Sequence, residues 1–183
     1  MEVVKKSQAA KNKAIKVLLE GGLVICPTDT VYGFLADVAN KKAVENIYKI
    51  KKRPRSKPLP VFVKDFKMAE ELAEINGEQK KILKKYWPGK YTFILKSKRE
   101  GTIALRIPRY KFLNDLLKKI NKPLAQTSVN ISGQPALVKI ANIVSQFRRS
   151  RFSLLIIDAG DLPKNKPSAI IDLTNDKIKT LRK

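Results

Sequence analysis

A chain of 183 residues is long enough to bury a full hydrophobic core without staples, and fits one domain, here expected over residues 1–183, or one domain with a small appendage. Its 39 Lys and Arg against 16 Asp and Glu give a formal charge of +23, which points to a polyanionic partner, although the 30 Lys against 9 Arg suit a solvated surface equally well. The absence of histidine and the single Cys26 exclude a Ser-His-Asp triad, a Cys-His pair, an ordinary zinc site and a disulfide framework, so any chemistry falls to cations, hydroxyls, carboxylates and backbone amides, and the expected home is a reducing cytoplasm.

The N-terminus, "MEVVKKSQAAKNK", lacks the apolar core of a signal peptide, and no window is apolar for long enough to span a bilayer, so no membrane partner is expected. The spacing of Ala10, Ala14, Val17 and Leu18 predicts a helix from Ser7, its N-cap, to the stop at Gly21-Gly22. "LVIC" follows as a buried strand, with Cys26 a small buried hydrophobe rather than a nucleophile. Asn40 caps a second helix carrying Ala43, Val44, Ile47 and Tyr48, which Pro54 ends, and "LPVFV" is the next strand. Two helices are expected over Asp65–Ile75 and Glu78–Trp87, parted at Asn76-Gly77. "YTFILK" and "IALRIP" read as a hairpin around Gly101, Phe112–Ile120 and Ile140–Phe147 as helices, and "LLIIDAG", "SAIIDL" and "KIKTL" as strands. Helices alternating with strands, some in hairpin pairs, imply a single-domain α/β fold with a mixed sheet.

Three segments have the composition of a site. "PTDTVYG", Pro27 to Gly33, stands where the "LVIC" strand ends, the position at which open α/β sheets gather their ligands; a polar turn in which Asp29 and Thr30 satisfy local backbone groups has the same composition. In "YKIKKRPRSKP" six of the nine residues from Lys49 to Lys57 are cationic, which suits a solvated helix end or a clamp on a triphosphate. "LAQTSVNISGQP" crowds Thr127, Ser128, Asn130, Ser132 and Gly133 into one turn, able to cradle phosphate oxygens. No Walker A or G-x-G-x-x-G pattern is present, so a nucleotide must be held in another way.

Taken in order with "WPGKYT" and "ALRIP", these segments resemble the YrdC-like family of L-threonylcarbamoyladenylate synthases, and the short single-domain type among them. The resemblance rests on P-T-D-T-V-Y-G at Pro27–Gly33, K-x-R at Lys51–Arg53 with Pro58-Leu59 following, W-P-G at Trp87–Gly89, R-x-P at Arg106–Pro108 and S-x-N-x-S-G at Ser128–Gly133. It implies a twisted mixed sheet flanked by helices, a cationic concave groove, and a nucleotidyl transfer that makes threonylcarbamoyl-AMP and pyrophosphate from L-threonine, bicarbonate or carbon dioxide, and ATP. Partner proteins would use that product to modify the adenosine beside the tRNA anticodon. Carried over residue by residue, Thr30, Tyr32, Arg106 and Ser168 would hold threonine. Lys51, Arg53, Arg55, Thr92, Ser128 and Asn130 would hold ATP, with Lys51 and Arg53 neutralising charge at the reacting phosphate. Magnesium would be held by the nucleotide's phosphates, since no protein metal site is apparent.

The sequence departs from the family pattern in three places: Lys52 stands where a glycine is expected, Phe34 where Leu is usual, and "PKNKP" replaces a glycine-rich approach to Ser168. Two other readings compete. One is a non-catalytic RNA-binding module, for which "FRRSRF" offers arginines 148, 149 and 151 between Phe147 and Phe152. The other is the carbamoyl-AMP-forming domain of hydrogenase maturation factors, which carries C-x-x-C elements that this chain lacks.

Overall fold

The computed structural model describes residues 1–175 and 178–182. Its ten strands are β1 (Glu2–Lys5), β2 (Leu23–Cys26), β3 (Gly33–Asp37), β4 (Val61–Phe62), β5 (Tyr91–Lys96), β6 (Thr102–Arg106), β7 (Leu124–Ser128), β8 (Leu154–Asp158), β9 (Ala169–Asp172) and β10 (Lys179–Arg182). The six helices are α1 (Gln8–Leu19), α2 (Lys41–Lys51), α3 (Phe66–Leu72), α4 (Gly77–Tyr86), α5 (Lys111–Ile120) and α6 (Ile140–Phe147). All ten strands join one twisted mixed sheet in the order β1-β8-β2-β3-β7-β4-β6-β5-β9-β10. Four pairs are parallel (β1 with β8, β8 with β2, β4 with β6, β5 with β9) and the other five antiparallel.

Period-two alternation explains why "LVIC" and "LLII" are apolar throughout, since helices cover both faces of these strands. Val24, Cys26, Leu155 and Ile157 turn to α1 and α5, packing on Ala14, Leu18, Leu113 and Leu117. Leu23, Ile25, Leu154 and Ile156 turn the other way, to Ala43 and Ile47 of α2 and Ile143 and Phe147 of α6. A third cluster joins Met68, Leu83 and Trp87 to Phe93, Leu95 and Leu105.

Ser7, Asn40 and Asn76 are the observed side-chain N-caps of α1, α2 and α4, and the β5–β6 hairpin turns at Gly101 with φ +64°. Three differences stand out. The residues before Ser7, for which no element is expected, contain β1, recruited by β8 rather than by its own pattern. "LPVFV" contributes only the two residues of β4. Helix α2 stops at Lys51, before Pro54, because the chain enters the left-handed region at Lys52 (φ 49°, ψ 43°). Of "KIKTL", Lys177 lies outside the described residues and the remainder overlaps β10. No helix among the described residues is long and apolar enough to cross a membrane.

Candidate functional site

The turn between β2 and β3 is tied by Thr28. Its Oγ1 accepts from the amides of Thr30 and Val31, donates to the Val31 carbonyl at 2.6 Å and lies 3.0 Å from the Thr30 hydroxyl. That frees Asp29 for a partner distant in sequence. Its carboxylate accepts from Arg106 Nη2 at 2.5 Å and from the Arg109 amide at 3.0 Å, while Arg106 Nε donates to the Gly89 carbonyl. Arg106 is only 2 % exposed, so the pair is buried and the guanidinium plane is fixed from two sides. Burial pulls Arg106 below its ordinary pKa, and Asp29 pulls it back up. A Cβ on Gly89 would meet the Tyr86 carbonyl at 2.3 Å, so the W-P-G element needs its glycine for close approach.

Lys51 ends α2 and is 1 % exposed. Its ammonium donates to the Ser128 carbonyl, to the Asn130 carbonyl at 3.0 Å and to Asn130 Oδ1 at 2.6 Å, which uses all three donors. Asn130 Oδ1 also accepts from Ser128 Oγ, and its amide donates to Ile131 and Gln134 carbonyls. The lysine thus fastens the Ser128–Gly133 turn to the end of α2. Burial, then the charge of Arg53, draws its pKa down to about 7. Lys52 closes the helix in a Schellman arrangement, with the Lys52 amide donating to Lys49 and the Arg53 amide to Tyr48. Arg53 is then braced by the Lys57 and Pro58 carbonyls. Phe34 lies beneath Lys51, with Nζ 6.0 Å from its ring centroid.

At the far wall Ser168 precedes β9, and its hydroxyl lies 2.9 Å from that of Thr92. Arg182, on β10, donates through Nε and Nη2 to the Ser168 carbonyl at 2.8 and 2.6 Å. Burial lowers the pKa of Arg182, and the positive charges of Arg106 and Arg53 lower it further. Tyr32 closes another side; its hydroxyl donates to Gly160 and accepts from the Ala159 amide, and burial pushes its pKa up to about 12.

Two adjoining chambers result. The inner one, about 100 Å³, has Thr30, Tyr32, Arg106 and Ser168 in its wall, and the outer one, about 730 Å³, has Lys51, Asn130 and the strap residues Lys164 and Lys166. Arg53, Ser128, Pro167 and Arg182 line both. No acidic side chain lines either chamber among the described residues, so the guanidiniums of Arg53, Arg106 and Arg182 face a space suited to anions such as carboxylate and phosphate. No group of three or more Cys, Asp or Glu side chains able to hold a metal occurs among the described residues. The nearby Asp29 is committed to Arg106 and Arg109, so this donor set does not fit a protein-held magnesium.

The structure therefore brings eight of the ten expected residues to the chambers: Thr30, Tyr32, Lys51, Arg53, Arg106, Ser128, Asn130 and Ser168. Thr92 stands behind Ser168, fully buried, and supports it from β5 rather than lining the space. Arg55 points away, paired with Glu45 of α2 and set over the Tyr48 ring. Arg182 was passed over by sequence reasoning, and Asp29, read from the sequence as satisfying its own turn, is instead the partner of Arg106 and the Arg109 amide. The aromatic half of "FRRSRF" does not serve base stacking: Phe147 is in the core, edge-on to Phe34 at 5.2 Å, and half-buried Phe152 lies under Arg151. Burial raises the Cys26 thiol above its ordinary pKa, in keeping with an inert core residue.

Comparison with known proteins adds a family. The Sua5, YciO and YrdC family model, described as telomere recombination, matches residues 16–183. The putative threonylcarbamoyl-AMP synthase of Methanocaldococcus jannaschii is 37 % identical over 174 residues, 91 % of this chain and 82 % of that protein. The threonylcarbamoyl-AMP synthase of Pyrococcus abyssi is 33 % identical over 165 residues, 85 % of this chain but 48 % of that longer protein, so this chain matches about half of it. The crystal structure of P. abyssi Sua5 complexed with L-threonine superposes with a TM-score of 0.88 at 30 % identity, covering 99 % of this chain and 56 % of the other.

Proposed function

The chain belongs to the Sua5, YciO and YrdC family, and on that basis we propose that it is a threonylcarbamoyl-AMP synthase, a nucleotidyltransferase joining L-threonine, bicarbonate or carbon dioxide, and ATP. The observation that carries this reading is the pair of chambers sharing Arg53 and Arg182, with Arg106 fixed on the inner side. The small inner chamber suits an amino acid, with its carboxylate on Arg106 and its hydroxyl among Thr30, Tyr32 and Ser168. The outer chamber suits a nucleotide, with phosphates toward Arg53 and Arg182 and the Ser128–Gly133 turn along its side.

In this arrangement the threonine amine and carbon dioxide give a carbamate and release a proton. A carbamate oxygen then forms a bond to the α-phosphorus of ATP as the bond to the bridging oxygen breaks, and pyrophosphate leaves with the electron pair. Holding the carbamate in line supplies much of the rate, and Arg53 and Arg182 meet the growing charge on phosphoryl oxygens. The scheme requires no strong side-chain base, which suits a chain without histidine. Lys51 acts by holding the Ser128–Asn130 turn, since its three donors are already engaged. Any magnesium would be held by the nucleotide's phosphates rather than by this chain's side chains, and the product passes to tRNA-modifying partner proteins in the cytoplasm.

The test is pyrophosphate release with each substrate withheld in turn. Release that depends on threonine, bicarbonate and ATP together is expected; release unchanged without threonine would leave only a plain ATP pyrophosphatase or a carbamoyl-AMP enzyme.

A further inference from the structure

Between β8 and β9 the chain runs along both chambers as a strap whose two ends are fastened. At one end the Ala159 amide donates to the Tyr32 hydroxyl, the Leu162 amide donates to the Val138 carbonyl at 2.9 Å, and the Leu162 side chain packs on the cluster that holds Ile143 and Phe147. At the other, the Ser168 hydroxyl meets Thr92, the Ser168 carbonyl accepts from Arg182, and the Ala169 amide donates to the Lys90 carbonyl. Between these ends, Pro163 to Pro167 make one hydrogen bond among the described residues, from the Asn165 amide to the Pro163 carbonyl within the strap itself. Lys164 and Lys166 are exposed and have no ion-pair or hydrogen-bond partner for their ammonium groups among the described residues, yet both line the outer chamber.

On the synthase reading, on which this inference rests, the charge can be followed through the reaction. The carbamate forms in the inner chamber and must reach the α-phosphorus, so the α-phosphate lies at the junction, where Arg53 and Arg182 line both chambers. The β- and γ-phosphates then extend into the outer chamber, where the donors of Lys51 are already engaged. The other cations lining that chamber are Lys57, Lys164 and Lys166, so the strap supplies most of them. As the bond from the α-phosphorus to the bridging oxygen breaks, the electron pair stays on that oxygen, and the departing pyrophosphate gains negative charge there. We propose that the strap is a pyrophosphate clamp: Lys164 and Lys166 bind the β- and γ-phosphates of ATP and hold the leaving group. The flanking prolines narrow the conformations of the free middle, which lowers the entropy lost when the lysines close on phosphate. A middle without anchors also lifts away to release pyrophosphate, which a fixed wall would retain.

The test is isothermal titration calorimetry with pyrophosphate and with AMP at fixed ionic strength, beside steady-state kinetics. Lys164→Ala/Lys166→Ala should weaken pyrophosphate at least about tenfold and raise the ATP KM by a similar factor, while AMP affinity and the threonine KM change by less than about twofold. Lys118→Ala/Lys119→Ala removes the same charge from α5, lines neither chamber, and should leave pyrophosphate affinity within about twofold of wild type. Lys164→Arg/Lys166→Arg should retain most of the affinity. On the unaltered protein, trypsin cleavage after Lys164, read by mass spectrometry, should slow with pyrophosphate or ATP and not with AMP, a readout independent of how any variant folds. Equal losses of AMP and pyrophosphate in the strap variant, equal losses in the two alanine variants, or cleavage slowed as much by AMP as by pyrophosphate would overturn the proposal. Threonine-dependent release together with unaltered pyrophosphate affinity in the strap variant would overturn the clamp alone, whereas release that ignores threonine would overturn the synthase reading and the leaving-group role with it.

Discussion

Asp29 and Arg106 are 77 residues apart in sequence, and their pairing decides what the inner chamber can recognise. With Nε on Gly89 and Nη2 on Asp29, the guanidinium presents Nη1, which has no protein partner among the described residues, in a fixed plane. Arg106→Ala should raise the threonine KM at least about tenfold, since a charge-assisted contact contributes roughly 1.5–3 kcal/mol. Asp29→Asn should act in the same direction while also lowering stability, because breaking one side of a buried pair strands the other charge. Steady-state kinetics with threonine varied, beside thermal melting, separates the effects; an unchanged threonine dependence in Arg106→Ala would remove that residue from the amino acid site. Lys51 makes a different prediction. Its folded pKa of about 7 lies below its ordinary 10.5, so between those values the unfolded chain holds more protons than the folded one. Stability contributed at this position must rise with pH through that window, and is least below about 7, where both states are protonated. Urea titrations of wild type and Lys51→Met across pH 6 to 10 should show the difference moving in favour of wild type as pH rises. A difference that stays flat would mean that Lys51 is not titrating there.

Among the elements, α1, α2, α4, α5 and α6 were legible because each carries an apolar stripe, and the first three also a polar cap. The motif turns were legible because strands of unbroken hydrophobicity end beside them. What local pattern does not encode is partnership across the sheet: β1, exposed along most of its length, exists through β8, and Arg182 reaches the site only because β10 pairs with β9. Asp29 was read as part of its own turn, but Thr28, two residues before Thr30, does that job instead. The end of α2 gives a direct test. Lys52 is held at φ 49°, where a side chain is strained by about 1 kcal/mol and glycine is at ease. Lys52→Gly should therefore raise stability by roughly 0.5–1 kcal/mol, visible as a higher denaturant midpoint with an unchanged slope. A lower midpoint would show that the Lys52 side chain contributes more than its backbone costs. Arg182→Ala should weaken ATP and lower the midpoint modestly, since the head group that faces the chambers also donates twice to the Ser168 carbonyl, while the backbone pairing of β10 with β9 remains.

For the whole molecule the charge of +23 governs behaviour beyond any single contact. Like charges repel within the compact state, and salt shortens the range of that repulsion from about 10 Å at 0.1 M to about 3 Å at 1 M. Melting temperature should therefore climb as sodium chloride is raised over that range, and climb further at equal ionic strength with phosphate, which can also settle among Arg53, Arg106 and Arg182. A melting temperature that falls with salt would imply that attractive pairs such as Lys11–Asp115 and Lys122–Asp37 outweigh the repulsion.

The order of strands across the sheet also has a consequence for biosynthesis. β8 lies between β1 and β2, and Ser168 and Arg182 are translated after all three. A nascent polypeptide that has left the ribosome only as far as Arg151 can pair β2 with β3 and β3 with β7, yet it has a gap beside β2 and lacks one wall of both chambers. Closing the sheet joins segments made far apart in translation, the kind of distant pairing that folds late. Binding competence therefore reports that synthesis has passed β10: a chain terminated before that strand cannot sequester substrate, and a ligand that bridges the chambers stabilises only molecules in which β8, β9 and β10 are in place.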